Sequence, residues 1–459
     1  MTSISMMEDS KTLSSSNFLP LELVQLIVSH FDADRKALFS LSLVSSTWRS
    51  ATVPHLFSEV SIWDPSDFIH LKNLIDLSPE IATHCVRSVI YEPGMSILGR
   101  GIANLSVDAS FGLNKPSSSS SSIAAEATTL GIKPWDPPVP LPPMPKVTSL
   151  KWAPDKRQAV HVTPALHQHL ENFPSLENLT LNAQFENLRE FSVFTSLCNR
   201  APLKKLVLNG TYLSTQKRKQ RLKRSLDALV QALPSEQDTP KEDPEPTATQ
   251  IPDLTSLETL LIDQCEFGCD WVIGFLLSSS KLSGPLHLRS FSLRGTSIST
   301  KSLTEILEAT ASTLEELTLD PLSSGGYYAQ GTLIPSIPRL PHLQILTLGQ
   351  IKLESGGLNP RPLLTWCSHL VSSLYDNSLV PSLQTIHFTF TLDPRERIFD
   401  WDNWPIEVTS LMRVADEVKV KVLFDIPDTM EGWEVEALKR LTQNRFPNLE
   451  NVQVVHEIW

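Results

Sequence analysis

The chain has 459 residues, of which 41% are hydrophobic and 20% charged, a composition typical of a folded, soluble protein. This length exceeds what one compact core usually accommodates, so it predicts two or three units or one elongated repeat domain. The net charge of −12 argues against a general nucleic-acid-binding role, because attraction to phosphates requires a basic face.

Signals for membranes, secretion and metals are weak. No apolar run approaches the roughly 18 residues needed to span a bilayer, and the first residues lack the basic start and apolar core of a secretory signal. The five cysteines are scattered, which is typical of a reduced, intracellular protein. Cys265 and Cys269 lack a second Cys or His pair at ligand spacing, so we expect no metal site. The predicted location is intracellular, either cytoplasmic or nuclear.

The first 60 residues contain an apolar segment behind a polar tail. Residues 1–17 are rich in Ser and Met, which favours disorder, whereas residues 18–60 predict three short helices. Pro20 suits the start of the first helix, where its missing N–H costs nothing. Asp32 or Asp34 is placed to cap the second helix, and a pair of serines precedes the third.

The first predicted helix is apolar around most of its circumference. One apolar stripe contains Leu19, Leu23, Leu26 and Ile27, and a second contains Val24, Val28 and Phe31. Three short helices cannot bury this much apolar surface among themselves. Part of it must therefore pack on the rest of the chain, as an N-terminal cap, or bind another protein.

Two low-complexity segments interrupt the chain after the helices. The first is residues 92–146, where a Ser run and a Pro-rich stretch predict an unstructured insertion. Residues 61–91, between the helices and this insertion, are interpreted as a linker with a first repeat-like or capping segment. A second, disordered insertion is expected at about 214–253. It begins with the basic run 217–224, which is either a nuclear-localisation patch or the solvated start of a helix, and it ends in an acidic, Pro-rich tract.

A short apolar pattern of the form LxxLxL recurs from residue 147 onward. Its copies begin at Val147, Leu176, Leu203, Leu257, Leu288, Leu314, Leu343, Leu383 and Leu449. Five of the eight intervals measure 26 to 31 residues, which is typical of stacked repeats. The copy at Leu257 reaches the fuller leucine-rich-repeat form, with Cys265 where that repeat places Asn or Cys. An ordinary α/β sheet with chance LxxLxL matches is the alternative.

Each copy predicts a short strand, and helical patterns lie between the copies, as at 165–173, 271–280 and 302–312. Strands that alternate with helices form a parallel sheet with helices packed on it. The expected fold class is therefore α/β, with an N-terminal three-helix module followed by a curved, leucine-rich-repeat-like solenoid over residues 147–459, strands inside and helices outside.

The outward residues of these strands would line the concave face of such a solenoid. They are mostly polar, mixed in charge and poor in aromatic anchors. We expect a protein substrate to contact this face, and the candidate residues are Asn182, Lys205, Asn209, Asp263, Arg294, Glu316, Asp320 and His387. A merely solvated face is the alternative interpretation.

Motifs of common enzymes are missing from the sequence. We find no GxxxxGK[ST], no GxGxxG after a strand, no HExxH and no GxSxG. We therefore expect no catalytic residues, no cofactor and no enzymatic activity of the chain itself.

The segment from Phe18 to Ile62 resembles an F-box of the fungal type. The family pattern opens with Leu-Pro and a nearby Glu, and it continues with an Ile in the first helix and a Leu-x-x-Val-Ser/Cys-x-x-Trp passage. The matching residues here are Leu19, Pro20, Glu22, Ile27, Leu41, Val44, Ser45 and Trp48. Ser45 stands where many members have Cys.

This resemblance implies a partner and a role. F-boxes bind a Skp-type adaptor, which joins them to a cullin scaffold, and the downstream domain, often made of leucine-rich repeats, selects the substrate. By this resemblance the adaptor contacts are Leu19, Pro20, Leu23, Ile27, Val44 and Trp48, although Trp48 is equally suited to the internal core. The implied function is a substrate-recognition subunit of a cullin-based (SCF-type) ubiquitin ligase, and the alternative is a scaffolding repeat protein capped by its helices.

Overall fold

The computed structural model describes eleven stretches of the chain together with single helical positions. They are residues 19–92 except 33 and 64, 139–154, 159–214, 252–265, 269–320 except 297, 337–353, 367, 370–374, 378–392, 418–426, 436, 439–440 and 449–456. The predicted tail at 1–17, most of the first insertion and the basic run at 217–224 lie outside these residues.

Three helices open the described chain. They are α1 (Leu21–Ser29), α2 (Arg35–Ser42) and α3 (Ser46–Leu56). Asp34 caps α2 by accepting a hydrogen bond from the Ala37 N–H at 3.0 Å, and Ser45 caps α3 by accepting one from the Trp48 N–H at 3.4 Å. These side chains replace the backbone partners that the first turn of a helix lacks.

The core of this helical module is small. Its buried apolar residues are Val24, Val28, Leu38 and Ala51, and Leu41, Trp48 and Leu56 pack partly buried against them. Val24 and Val28 lie four residues apart, so they share one face of α1. Only that face of the helix points inward.

A twelve-stranded sheet, parallel throughout, follows the helices. Its strands lie side by side in the order of the chain, apart from the two that form a separate small sheet. They are β1 (Glu59–Ile62), β2 (Ser88–Tyr91), β3 (Ser149–Trp152), β4 (Asn178–Leu181), β6 (Lys205–Asn209), β8 (Thr259–Asp263), β9 (Ser290–Arg294), β10 (Glu316–Leu319), β11 (Ile345–Leu353), β12 (Thr385–Leu392), β13 (Lys419–Ile426) and β14 (Leu449–His456).

One face of this sheet is buried by helices. Those with described bounds are α4 (Pro65–Leu77), α5 (Pro164–Leu170), α6 (Leu188–Cys198), α7 (Asp270–Ser283) and α8 (Thr300–Thr310). Their apolar residues join the inward strand residues in one continuous core. The predicted α/β class, with N-terminal helices ahead of a large parallel sheet, is confirmed.

The register of the sheet places equivalent residues in rows across the strands. Leu206, Leu260 and Phe291 are paired neighbours in one such row, and all three are buried. The residues between the inward positions point to the other face, because successive side chains of a strand alternate. Most of these outward side chains are polar and partly exposed.

The sheet starts earlier than the repeat pattern indicates. β1 and β2 precede the first predicted strand at Val147 and occupy part of the expected linker. Tyr91 of β2 stacks on Trp152 of β3 with ring centroids 4.1 Å apart. At β1 and β2 the positions that Leu occupies farther along the chain are held by Val, Ile, Phe or Tyr, so these strands escape a search for the leucine pattern.

A second, two-stranded parallel sheet was not predicted. β5 (Gln184–Phe185) pairs with β7 (Tyr212–Leu213), and the Tyr212 hydroxyl donates to Gln184 Oε1 at 2.8 Å. This small sheet joins the loops that follow β4 and β6. Two-residue strands are too short to leave a periodic signal in the sequence.

Among the helices that the structure describes, none has the length and apolarity required to cross a bilayer.

Candidate interaction surfaces

Large apolar side chains are exposed together on the helical module. They are Leu19, Leu21, Leu23, Leu26, Ile27, Phe31, Phe39, Leu43 and Val44, and we call this set the apolar face. Their exposed fractions run from 36% at Ile27 to 64% at Val44. Elsewhere in the described chain only Leu77 and Leu282 expose comparable side chains. Such clustering, unlike scattered exposure, marks a surface that binds another molecule.

The helical period explains why the apolar face exists. Val24 and Val28 point into the module core, so the stripe containing Leu23 and Ile27 must point outward. Both stripes of α1 are apolar, but the module has interior space for one. The surplus of apolar surface expected from the sequence is therefore real, and it lies on the outside of the module.

The six predicted adaptor contacts divide into two groups. Leu19, Pro20, Leu23, Ile27 and Val44 are exposed. Trp48 is half-buried and packs against the module core, which is the structural role that the sequence left open for it. The other members of the apolar face were not named as contacts, although Leu26 shares the outward stripe.

The helical module is joined closely to the sheet. The Arg35 guanidinium donates to the Glu59 carbonyl at 3.2 Å and lies 3.6 Å from the Glu59 carboxylate. Phe57, directly after α3, packs against the core of the sheet, and α3 contacts the π-helical turn Ile81–Cys85. These contacts hold the apolar face in a defined position relative to the sheet.

The side of the sheet opposite the helices is the second candidate surface, and we call it the polar face. It consists of the outward residues of β1–β4, β6 and β8–β13 and of the residues directly after them. Of the eight predicted substrate contacts, Lys205, Arg294 and Glu316 are exposed, Asn182, Asn209, Asp263 and His387 are half-buried, and Asp320 is buried. Asp320 is the least accessible of the eight, because only 5% of its surface is exposed.

Three of these residues meet at the carboxyl ends of neighbouring strands. Asp263 ends β8, Arg294 ends β9 in register with it, and Asp320 directly follows β10. The Asp320 N–H donates to the Leu293 carbonyl at 2.9 Å, which keeps the chain in line after the strand. We call Asp263, Arg294 and Asp320 the carboxyl-edge triad. His387 lies apart from it, in the middle of β12.

Burial shifts the pKa values of both acids in the triad. Desolvation raises the pKa of Asp320 to about 7, and the Asp263 carboxylate adds to the rise, while the Gly295 backbone N–H and Arg294 oppose it. Desolvation also raises the pKa of Asp263, against the attraction of Arg294 and the Gln264 N–H. The Asp263 carboxylate on β8 therefore contributes to the raised pKa of Asp320, on the far side of β9.

Burial has the opposite effect on His387. Desolvation and the neighbouring Lys421 lower its pKa, although Glu316 favours the protonated ring. A neutral imidazole is thus the form present near pH 7.

The cysteines and the other metal-ligating side chains are dispersed in the described ranges. Within those ranges, no three or more His, Cys, Asp or Glu side chains cluster closely enough to hold a metal ion. All five cysteines are buried, and none is part of a disulfide. Cys265 occupies a structural position, with its sulfur 3.7 Å from the Asp263 carbonyl oxygen and 4.0 Å from that of Leu208.

Comparison with known proteins supports one part of this architecture. Residues 17–54 match the F-box domain family, and this range contains the whole apolar face. No curated protein matches the chain.

Proposed function

We propose that this protein is the substrate-recognition subunit of a cullin-based (SCF-type) ubiquitin ligase. It binds a Skp-type adaptor through the apolar face of its F-box and a protein substrate through the polar face of its sheet. F-box proteins are in general the non-catalytic adaptor subunits of such complexes. The observation that carries the proposal is that the F-box match and the apolar face lie on the same residues.

The apolar face has the energetic character of a docking surface. Covering a half-exposed Leu stabilises a complex by about 1 kcal/mol, given about 25 cal/mol per Å² of apolar surface. Leu23 and Leu26 are each about half exposed, at 47% and 59%, and neither contributes to the module core. Adaptor binding therefore does not compete with the folding of the module.

The proposed mechanism is proximity. A subunit that holds its substrate near the ubiquitin carrier raises the effective concentration of the target and performs no bond chemistry itself. Such a mechanism benefits from a stiff connection between the two binding surfaces. The Arg35–Glu59 contacts and the packing of Phe57 are consistent with this requirement.

The parallel sheet is interpreted as a leucine-rich-repeat-like solenoid, whose polar face selects the substrate. This interpretation rests on the 26 to 31-residue spacing of the strands and on Cys265, which stands where that repeat places Asn or Cys. Under this interpretation the F-box occupies residues 18–60, a linker with a first repeat-like or capping segment occupies 61–91, and the repeat domain occupies 147–459.

A scaffolding protein whose helices only cap the sheet is the second candidate. A cap would bury its apolar residues against the repeats, whereas the apolar face is exposed, which favours the ligase subunit. Deleting residues 1–60 separates the two. A cap predicts that the remainder no longer folds, and a docking module predicts a folded remainder that does not bind the adaptor.

The direct test is co-purification of the Skp-type adaptor with the tagged full-length protein. Replacing Leu23 and Val44 together with Asp places two charges in the apolar face, so we expect adaptor capture to fall at least about 100-fold. Leu77→Asp is the matched control, because Leu77 is 82% exposed and lies outside the F-box. Equal capture by the double variant, or no capture by the parent protein, would refute the proposal.

A further inference from the structure

The acids of the carboxyl-edge triad hold buried acceptor atoms whose hydrogen bonding within the described chain is incomplete. Asp263 Oδ1 and both carboxylate oxygens of Asp320 are buried, and none accepts a hydrogen bond of normal geometry from the described residues. Buried carboxylates are costly unless they are paired. Arg294 lies between them in the sequence of strands, but its guanidinium is exposed and forms no ion pair within 4.0 Å with the acids described.

Two glycines lie beside these carboxylates. A Cβ at Gly295, which follows β9 with φ +53, would lie 3.7 Å from Asp263 Oδ1, and a Cβ at Gly349 of β11 would lie 3.8 Å from Asp320 Oδ1. Both distances are ordinary van der Waals contacts, so a side chain at either position would touch a carboxylate oxygen.

The chemistry of the triad identifies the ligand class. Its unsatisfied atoms are all acceptors, so a ligand must bring N–H donors. With both acids ionised the triad has a net charge of −1, which favours a cation and repels an anion. Two carboxylates next to a guanidinium provide too few ligands and the wrong neighbour for a divalent metal ion. A guanidinium or ammonium on a flexible stem satisfies both requirements.

We propose that Asp263 and Asp320, at the carboxyl edge of the polar face, bind a lysine or arginine side chain of the protein substrate, with Arg294 at the mouth of the site. That the basic side chain belongs to a substrate rests on the proposed function, whereas the binding site itself is inferred from the triad alone. The ordered strand ends support it, since Gly210 N–H donates to the Asp263 carbonyl at 2.7 Å and Gln264 N–H to the Arg294 carbonyl at 2.9 Å.

Because Asp320 titrates near neutral pH, the affinity of the site for a cationic ligand should depend on pH. Its pKa of about 7 reflects burial, the facing Asp263 on β8, and the opposing Arg294 and Gly295 N–H on the β9 side. Cys367, which interacts electrostatically with Asp320, is a buried thiol whose pKa burial raises to about 12, so it remains neutral. A bound cation favours ionised Asp320, so ligand affinity rises with pH through about 7 and falls below it.

The test uses the full-length protein and a library of random 12-residue peptides. We expect the selected peptides to be enriched in Lys or Arg and to bind Asp320→Asn at least about tenfold more weakly than the parent. Replacing the basic residue of a selected peptide with Gln should cause the same loss, and the two losses should not add. Affinity for the parent should increase between pH 6 and pH 8, and Asp320→Asn should abolish this dependence.

Glu258→Gln is the matched control, because Glu258 is an exposed acid directly before the other end of β8, and it should bind the peptides like the parent. A library that yields no peptide sensitive to Asp320→Asn overturns the inference. It is also overturned if the affinity losses caused by Asp320→Asn and by the Gln-substituted peptide are additive. Binding that requires a divalent cation and disappears with a chelator also overturns it, in favour of a metal site. Adaptor capture is a separate readout, so failure of this inference is distinguishable from failure of the proposed function.

Discussion

The helical module exposes most of its large apolar residues, whereas the sheet buries them. In the module, a core of four fully buried residues is accompanied by nine large apolar side chains on the surface. In the sheet, the leucines of the repeat pattern are buried almost without exception, and polar residues occupy the other face. A 40-residue module is too small to bury its apolar surface, whereas stacked strands bury theirs against helices.

This difference determines what kind of partner each region suits. The module can gain stability from a partner by covering apolar surface. The polar face has little apolar surface to cover, so its affinity must come from charge and hydrogen bonding, as in the carboxyl-edge triad. One chain therefore presents two surfaces that do not compete for the same partner.

The largest expected effect on stability comes from comparing two single variants, each of which shortens one leucine in one of the two regions. Leu208 is fully buried in β6, so Leu208→Ala should lower the free energy of unfolding by about 3 kcal/mol. Leu23 is 47% exposed, so Leu23→Ala should cost less than about 1 kcal/mol. Urea unfolding followed by circular dichroism measures both. Similar losses in the two variants would contradict the contrast between the regions.

An effect of similar size, and one that depends on pH, is expected at Asp320. Its folded pKa of about 7 lies above the ordinary value of 3.8, so ionisation favours the unfolded chain. The resulting destabilisation starts above about pH 4, grows until about pH 7 and is then constant. Asp320→Asn should therefore be more stable than the parent by roughly 2–4 kcal/mol at pH 8 and by much less at pH 5.

Thermal unfolding of the parent and Asp320→Asn between pH 5 and pH 8 checks this prediction. Glu258→Gln again serves as the control and should show no such difference. A stability gap between parent and Asp320→Asn that is the same at pH 5 and pH 8 would show that Asp320 ionises normally in the folded protein.

The smallest effect is expected at the cap of α2. Asp34→Ala removes the hydrogen bond to the Ala37 N–H and should destabilise the helix by about 1 kcal/mol. Asp34→Asn preserves an acceptor and should remain close to the parent. Amide hydrogen exchange over residues 35–42 measures the change locally, and equally fast exchange in the Ala and Asn variants would argue against the cap.

Periodicity allowed much of the sheet to be predicted. Copies of the apolar pattern at Leu203, Leu257 and Leu288 correspond to β6, β8 and β9, because a strand that buries every second residue leaves a regular mark in the sequence. The same reasoning missed β1 and β2, because Val, Ile, Phe or Tyr stands there at the positions that Leu occupies in most other strands.

The candidate surfaces were predictable only in part. Asp263, Arg294 and Asp320 were each named from the alternation of outward residues. Their meeting at one edge depends on the strand register, and the burial of Asp320 depends on what packs around it. Neither property is encoded in the local pattern that identified the residues.

The period of the strands, the inward leucines and the surplus of apolar surface on three short helices can all be read from the sequence. These features follow from short-range spacing, because backbone geometry translates it directly into faces. Tertiary packing, by contrast, leaves one stripe of α1 exposed, places Trp48 against the module core and buries the Asp320 carboxyl group. Those outcomes depend on neighbours distant in the chain, whose packing and electric fields no local pattern contains.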